Sequence, residues 1–439
     1  MPKLTLNIDD NEFFAGIVSG AILDVTRESH GRLKGAHKRA KNFIKSVVGA
    51  YSEADRPTVL NDWLEFIEHE ASVILVKTDH ASKAFKMFET LNDRGLKTSQ
   101  ADLVKSYLFG EANKRVGEAQ ARWSSMKDNL EEISDDDRAI NFLRHVLIAT
   151  KQFVRADEIY NTIQNQVRGE HNAAGFLTTL EATSRTYVAT FQSSADFWRG
   201  YAASTTRALT VFNRFDLKPM RPLVLALALK FEPREFDAAL KLLVSISVRL
   251  VIASRTRSGT LEQTFATAAL SVYEGRVQTV ASLRSALDNV VIGDADFKRE
   301  FTTARVSNAG LARYYLGALE SANAADSEPW YVLNDDLAII TLEHVLPQNA
   351  GREWDHMDDD AQKLHVKRLG NLCLLQKSGN EAAANRSFDD KKAALGAASP
   401  VVTSMIAGYN TWGPDEIEAR QILLADLAVK AWPIPSLRG

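Results

Sequence analysis

Between about residue 115 and residue 320 the sequence is an almost unbroken succession of helical patterns, and this limits the possible folds more than any other feature. Apolar residues recur there every three or four positions, the spacing that places them on one face of a helix. The acidic run 131–137 predicts a solvated junction between two of these helices. No repeat period and no low-complexity linker marks a boundary. We therefore expect a mainly α, multi-domain chain built from helical bundle lobes.

Length, charge and cysteine content exclude several classes of protein. The 439 residues leave room for about three domains of roughly 150 residues each. A formal net charge of −3 excludes a polybasic coating protein, so contact with nucleic acid requires a local basic patch. The single cysteine, Cys373, excludes internal disulfides and a cysteine-rich zinc site, and we expect it to pack in a core. The longest apolar stretch, 223–229, is far too short for a membrane span, which predicts a cytoplasmic protein without membrane contact.

The first hundred residues mix helical and strand-like patterns. Residues 1–8 alternate weakly and predict a strand, whereas 28–52 predict a basic helix and 57–70 a helix with an apolar face. The β-branched run 71–77 predicts a buried strand. A helix over 81–91 then ends at the turn residues 92–95, and Ser99 caps the next helix, with Asp102 at its third position. We therefore expect a small α/β piece at this end of the chain.

The predicted secondary structure changes near residue 330, where strands appear among the helices. The run 337–344 predicts a strand, and 369–375 predicts a second strand that contains the pair Gly370-Asn371. Helices are predicted over 380–396 and over 414–431, the last one with an early proline, acidic residues in its first turn and Trp432-Pro433 after its end. The order from 337 to 396 is therefore strand, loop, strand, helix.

Residue types at the end of the first of these strands suit metal-assisted hydrolysis. Glu343 and His344 are adjacent, so they point to opposite faces of the strand unless the turn before Pro347 redirects one. A carboxylate holds a hard divalent cation, and a neutral imidazole accepts a proton from water. The amide oxygen of Asn380, at the start of the following helix, is placed to complete the metal's inner shell. This is the logic of a single-metal phosphodiesterase, and these oxygens suit Mg²⁺, Mn²⁺ or Ca²⁺ almost equally.

The order Glu343-His344, Asn371, Asn380 resembles the HNH, or ββα-metal, nuclease core. The fuller string is more specific: Thr-Leu-Glu-His-Val-Leu-Pro-Gln-Asn over 341–349, then Leu-Gly-Asn-Leu-Cys-Leu-Leu over 369–375. It is similar to the C-terminal nuclease domain of GmrSD-type restriction proteins, which are modification-dependent defence nucleases. The resemblance implies a metal-dependent DNA endonuclease that uses Mg²⁺, with Mn²⁺ as an alternative, in type IV restriction or anti-phage defence. Its substrate is then DNA, modified phage DNA included.

The resemblance also implies roles for single residues. Glu343 is the metal ligand, His344 the general base and Asn380 the second ligand, while Asn371 belongs to the catalytic set as the residue that ties the ββα loop together. Asn385 and Lys391 match family positions for which contact with the phosphate is plausible. Basic residues around the site can neutralise phosphates, with a solvated surface as the alternative interpretation. They are Lys363, Lys367, Arg368, Lys377, Arg386, Lys391 and Lys392.

A second resemblance lies at residues 84–105. This segment is similar to the end of the ParB/sulfiredoxin-like specificity and nucleotide-handling domain of the same proteins. The hallmark Asp-Gly-Gln-Gln-Arg motif of that domain is absent from the 439 residues, so the question of whether the protein binds a nucleotide stays open. Asn92, Asp93 and Arg94 are candidate remnants of its pocket; the alternative is a plain helix-ending turn with Arg94 anchored to a carboxylate.

These resemblances divide the chain into an N-terminally incomplete specificity domain over 1–115, a helical middle domain over 116–320 and a nuclease domain over 321–439. The incomplete domain is expected to reflect a truncated reading frame, a deliberately shortened chain or one half of a split pair whose upstream-encoded partner carries the missing motif. Two other functions stay open: an effector subunit that is inactive without this partner, and an RNA-targeting nuclease. A homo-oligomer is compatible with either.

Overall fold

The structure is a computed structural model, and it describes residues 6, 10–21, 23–70, 72, 100–135, 137–256, 258–332, 339–349, 351–354, 357–377 and 386–436. The chain forms two compact units, Met1–Lys97 and Thr98–Gly439, which are described separately. No described helix combines the length and apolar character needed to cross a membrane.

The first unit contains three described helices: Asn11–Ser19, Glu28–Gly49 and Arg56–His69. The last two confirm the helices predicted over 28–52 and 57–70. The apolar face of the third helix does not form a core, because its Leu60, Trp63, Leu64 and Ile67 are 41–58% exposed. Most of the predicted strands over 1–8 and 71–77, the helix over 81–91, the turn with Asn92, Asp93 and Arg94, and Ser99 lie outside the described residues.

Helices dominate the second unit, which confirms the mainly α prediction. Residues 223–227 of one central helix are all completely buried, as expected for a helix that is apolar on every side. The acidic run 131–137 separates two helices, as predicted. From residue 100 to 323 the helices are Gln100–Ala112, Val116–Leu130, Arg138–Thr150, Ile159–Gln166, Glu170–Ala189, Ala203–Phe215, Arg221–Lys230, Pro233–Ile252, Gly259–Tyr273, Val280–Ala286, Asp294–Phe301 and Ala309–Asn323.

Among the described residues after 323, the second unit contains two short strands and four α-helices. Strand β1, Ile340–His344, pairs antiparallel with β2, Leu372–Gln376, so that Glu343 lies opposite Cys373 and His344 opposite Leu372. This confirms the order strand, loop, strand, helix. The helices are Asp359–His365, Phe388–Gly396, Val401–Ser404 and Pro414–Ala431.

One of the predicted boundaries was wrong. Gly370-Asn371 lies in the turn Leu369–Asn371 before β2 rather than inside the strand, because this turn is pressed against the C-terminal helix. A Cβ atom on Gly370 would collide with the backbone oxygen of Ile417. Of the helix predicted over 380–396, the described part is Phe388–Gly396, where the Ser387 side chain accepts a hydrogen bond from the amide of Asp390 and caps the first turn; residues 380–385 lie outside the described residues.

A single large hydrophobic core extends through the second unit, from Ala101 to Trp432. Trp432, just after the C-terminal helix, packs edge-on against Phe297, and the buried Arg249 donates hydrogen bonds to the Trp432 carbonyl at 2.8 and 3.1 Å. The predicted boundary at 320/321 therefore falls within shared packing. A smaller cluster beneath the strands includes Cys373, which is fully buried as predicted, and burial raises the pKa of its thiol to about 12.

Candidate active site

The predicted catalytic pair lies at the end of β1, where the two side chains contact different neighbours. Glu343 is 7% exposed and contacts Lys391, whereas His344 is partly buried and contacts Gln348. Alternation of side chains along a strand accounts for this division. The carboxylate therefore faces the protein interior, while the imidazole lies beside a solvent-exposed side chain.

Lys391 is enclosed by oxygen atoms of three consecutive residues. Its ammonium donates to Glu343 Oε1 at 2.6 Å, to the carbonyl of His344 at 3.0 Å and to the carbonyl of Val345 at 3.1 Å. These bonds use all three donors of an ammonium, and the side chain is 0% exposed. The ammonium of Lys391 is therefore buried, whereas the sequence predicts that it is exposed to a phosphate. The reason is the inward face of the Phe388–Gly396 helix, on which Phe388, Lys391 and Leu395 are buried together.

Opposing influences act on the carboxyl group of Glu343. Burial raises its pKa above the ordinary value, while the nearby Lys391 ammonium acts in the opposite direction. The ammonium compensates part of the free-energy cost of enclosing this carboxylate. Removing either partner would leave the other as an uncompensated buried charge.

His344 is held as a neutral ring. Burial, followed by the positive charges of Lys391 and Lys367, lowers the pKa of its imidazole to about 4. Its Nε2 lies 3.0 Å from the side-chain nitrogen of Gln348. An amide nitrogen only donates, so a hydrogen bond in this arrangement requires Nε2 to accept and the ring proton to lie on Nδ1. His344 thus has the protonation state of a general base, with its lone pair directed at an exposed and replaceable partner.

Gln348 is not among the site residues predicted from the sequence. Its position was visible, since it follows Pro347 in the turn that ends β1 and lies four residues after His344. No general rule, however, assigns a glutamine in such a turn to a histidine ring.

Asn371 joins both sides of the loop between the strands. Its Oδ1 accepts from the amide of Leu346 at 2.8 Å and from the indole of Trp412 at 3.0 Å. Its Nδ2 donates to the carbonyls of Leu346 and Val366 at 2.9 and 3.1 Å. These four bonds use the whole capacity of an amide side chain, which is completely buried. The contacts match the tying role implied by the resemblance and leave no polar atom for a substrate.

Only part of the predicted basic rim is available to a ligand. Arg368 is mostly buried and donates to the carbonyl of Thr302 at 2.6 Å and to Gln421 Oε1 at 3.0 Å, so it crosslinks the domain. Lys392 donates to the carbonyl of Asn410 at 3.2 Å and is partly buried. The exposed members of the predicted rim are Lys363, Lys367, Lys377 and Arg386.

Oxygen donors converge at the end of β1. The three oxygen atoms around the Lys391 ammonium show that the backbone and Glu343 concentrate hard oxygen donors there, the kind that Mg²⁺ and Mn²⁺ prefer. The predicted ligand Asn380 and the predicted phosphate contact Asn385 lie outside the described residues. Within the described part of the chain, no group of three or more His, Cys, Asp or Glu side chains is arranged to hold a metal.

Comparison with known families gives one match. Residues 291–427 match the family model of the C-terminal domain of GmrSD restriction endonucleases. The matched range includes both strands, Glu343, His344, Asn371 and Lys391. It also includes the Asp294–Phe301 helix, before the predicted boundary at 320/321, and the Ala309–Asn323 helix, which spans that boundary. This part of the chain is therefore similar to the C-terminal domain of GmrSD restriction endonucleases, as the sequence predicted. No curated protein matches the chain.

Proposed function

We propose that this protein is a metal-dependent HNH-type endonuclease that hydrolyses phosphodiester bonds of DNA in modification-dependent restriction or anti-phage defence. The observation that carries the proposal is the neutral imidazole of His344 beside the buried carboxylate of Glu343, at the end of a strand within the family-matched range. The name of the matched family supports DNA as the polymer that is cut.

In the proposed reaction His344 Nε2 accepts a proton from a water molecule whose oxygen attacks the phosphorus atom, and the bond to the leaving oxygen breaks. The water takes the place of the Gln348 amide, whose exposed side chain is free to withdraw. Glu343 and Asn380 would hold the divalent cation, which would supply charge stabilisation for the phosphate and the leaving oxygen. Lys367 and Arg386 neutralise neighbouring phosphates.

Binding of DNA also makes His344 a stronger base. The low pKa of His344 arises partly from the charge of Lys367, so phosphates that neutralise Lys367 shift the pKa of the imidazole upwards, towards the operating pH. Asn371 contributes by fixing the turn after β1 and the turn before β2 relative to each other.

Cleavage assays with matched DNA and RNA substrates test the proposal. The wild-type chain is incubated with modified and unmodified DNA and with RNA of the same sequence, in Mg²⁺, in Mn²⁺ and in EDTA. We expect metal-dependent cleavage of DNA that is lost in Glu343→Gln and retained in the control Glu353→Gln, whose side chain is exposed. Cleavage of RNA alone would assign an RNA-targeting nuclease instead.

A chain that cuts neither polymer alone is assayed again with a separately encoded nucleotide-binding partner that carries Asp-Gly-Gln-Gln-Arg. Activity that appears only then identifies an effector subunit of a two-component system. No cleavage in either setting contradicts the nuclease proposal.

A further inference from the structure

The ammonium of Lys391 occupies a position where a protein commonly places a bound cation. Three oxygen atoms from Glu343, His344 and Val345 lie within 2.6–3.1 Å of its nitrogen. The side chain is completely buried, and its ion pair with Glu343 joins groups that are 0% and 10% exposed. The end of β1 therefore already carries a positive charge that belongs to the protein.

The Lys391 ammonium contacts Glu343, the same carboxylate that is proposed to bind the divalent cation. Like charges a few ångströms apart repel strongly where protein excludes water, because screening there is weak. The ammonium is also held in place: leaving the oxygen cradle would strand a charge inside the protein, and no other charged partner of Lys391 is seen among the described residues. A metal that binds Glu343 must therefore bind against the field of Lys391.

From this geometry, and resting on the proposed function, we propose that Lys391 is a resident cation that competes with the divalent metal for Glu343 and keeps the metal affinity of the free protein low. Metal binding loosens the contact between Lys391 and Glu343 Oε1, while the two carbonyl contacts hold the side chain near the strand. Lys391 is thus a positioning residue that tunes the metal site and never touches DNA.

The variant Lys391→Met tests this, because methionine is close to lysine in length and carries no charge. Affinity for Mn²⁺ is measured by electron paramagnetic resonance in the absence of DNA. We expect the dissociation constant to fall by roughly tenfold or more, since the repulsion is removed. The neighbouring Lys392→Met, which removes a charge paired with Asp389 on the surface, leaves the constant unchanged. An unchanged or higher dissociation constant in Lys391→Met overturns the inference.

Glu343→Gln separates this inference from the proposed function. Mn²⁺ binding that is lost in Glu343→Gln but unaltered in Lys391→Met overturns only the competition. Binding that survives Glu343→Gln overturns the competition and the assignment of Glu343 as metal ligand together.

A measurement on the wild-type chain covers the case in which Lys391→Met does not fold. Lysine labelled with ¹⁵N at Nζ gives a slowly exchanging ammonium signal when the group is buried and hydrogen-bonded. We expect this signal to shift or broaden as Mg²⁺ is added, because the carboxylate is shared with the metal. A signal that stays unchanged at saturating Mg²⁺ overturns the inference.

Discussion

Replacing Asn371 by alanine tests whether this residue acts through structure or through chemistry. The substitution removes four hydrogen bonds of 2.8–3.1 Å and leaves the amide of Leu346, the indole of Trp412 and two carbonyls without that partner. A buried polar group that loses its partner costs about 1–3 kcal/mol. Allowing for water that enters the space left behind, we expect a loss of at least about 4 kcal/mol.

The assay is denaturant-induced unfolding followed by circular dichroism and by tryptophan fluorescence. Asn349→Ala is the matched control, because Asn349 is exposed in the same loop and its loss should change stability by less than about 0.5 kcal/mol. If Asn371→Ala abolishes DNA cleavage while its unfolding curve stays that of the wild type, Asn371 takes part in the chemistry and the reasoning is refuted.

Four further predictions concern the surroundings of the site. Burial, then the charges of Lys391 and Lys367, lower the pKa of His344 from its ordinary value of 6.5 to about 4; Lys367→Gln removes the last of these, so the acidic limb of the pH–rate profile should move to higher pH, and an unmoved limb contradicts this. His344 also binds protons less readily in the folded than in the unfolded chain. Its contribution to stability is therefore full above pH 6.5 and is lost as the pH falls towards 4. His344→Gln should abolish this pH dependence, as measured by unfolding at a series of pH values. Gly370→Ala introduces a collision with the backbone of Ile417 and should lower the melting temperature, whereas the exposed Gly351→Ala should not. The Cys373 thiol, fully buried and with its pKa raised to about 12, should react with a thiol reagent only on unfolding; fast labelling of the native chain contradicts its burial.

Local signals in the sequence were sufficient for much of the fold. The Pro414–Ala431 helix matches its predicted range because proline, acidic residues and the following Trp432-Pro433 mark both ends within the segment itself. The strand pair was recognisable from β-branched and apolar runs, although β2 begins three residues later than predicted, since packing of Gly370 on the C-terminal helix decides where the turn ends.

Tertiary contacts explain what the sequence analysis missed at the site. Lysine is most often a surface residue, so Lys391 was assigned to the basic rim, although its spacing from Phe388 and Leu395 places it on the inward face. Arg368 was assigned to the rim for the same reason, yet Gln421 and the carbonyl of Thr302 hold it inside. In both residues a charged group is buried because distant oxygen atoms converge on it, and such convergence leaves no local pattern in the chain.

On the Arg56–His69 helix, by contrast, apolar residues that were expected to be covered are exposed. Periodicity correctly predicted the helix and its stripe, but not its environment, because Trp63 and Leu64 remain 45% and 58% exposed. Periodicity specifies which residues share a face and does not specify what covers that face.

Single-turnover cleavage of DNA by His344→Ala measures what His344 contributes as general base. The reaction is run at saturating enzyme with Mg²⁺ or Mn²⁺, and His171→Ala, a substitution of an exposed histidine on the Glu170–Ala189 helix, serves as the control. Loss of a general base lowers a rate by about 10²–10⁴-fold. We therefore predict a rate for His344→Ala at least about 100-fold below that of the wild type, with His171→Ala unchanged. Equal cleavage by the wild type and His344→Ala would contradict the account.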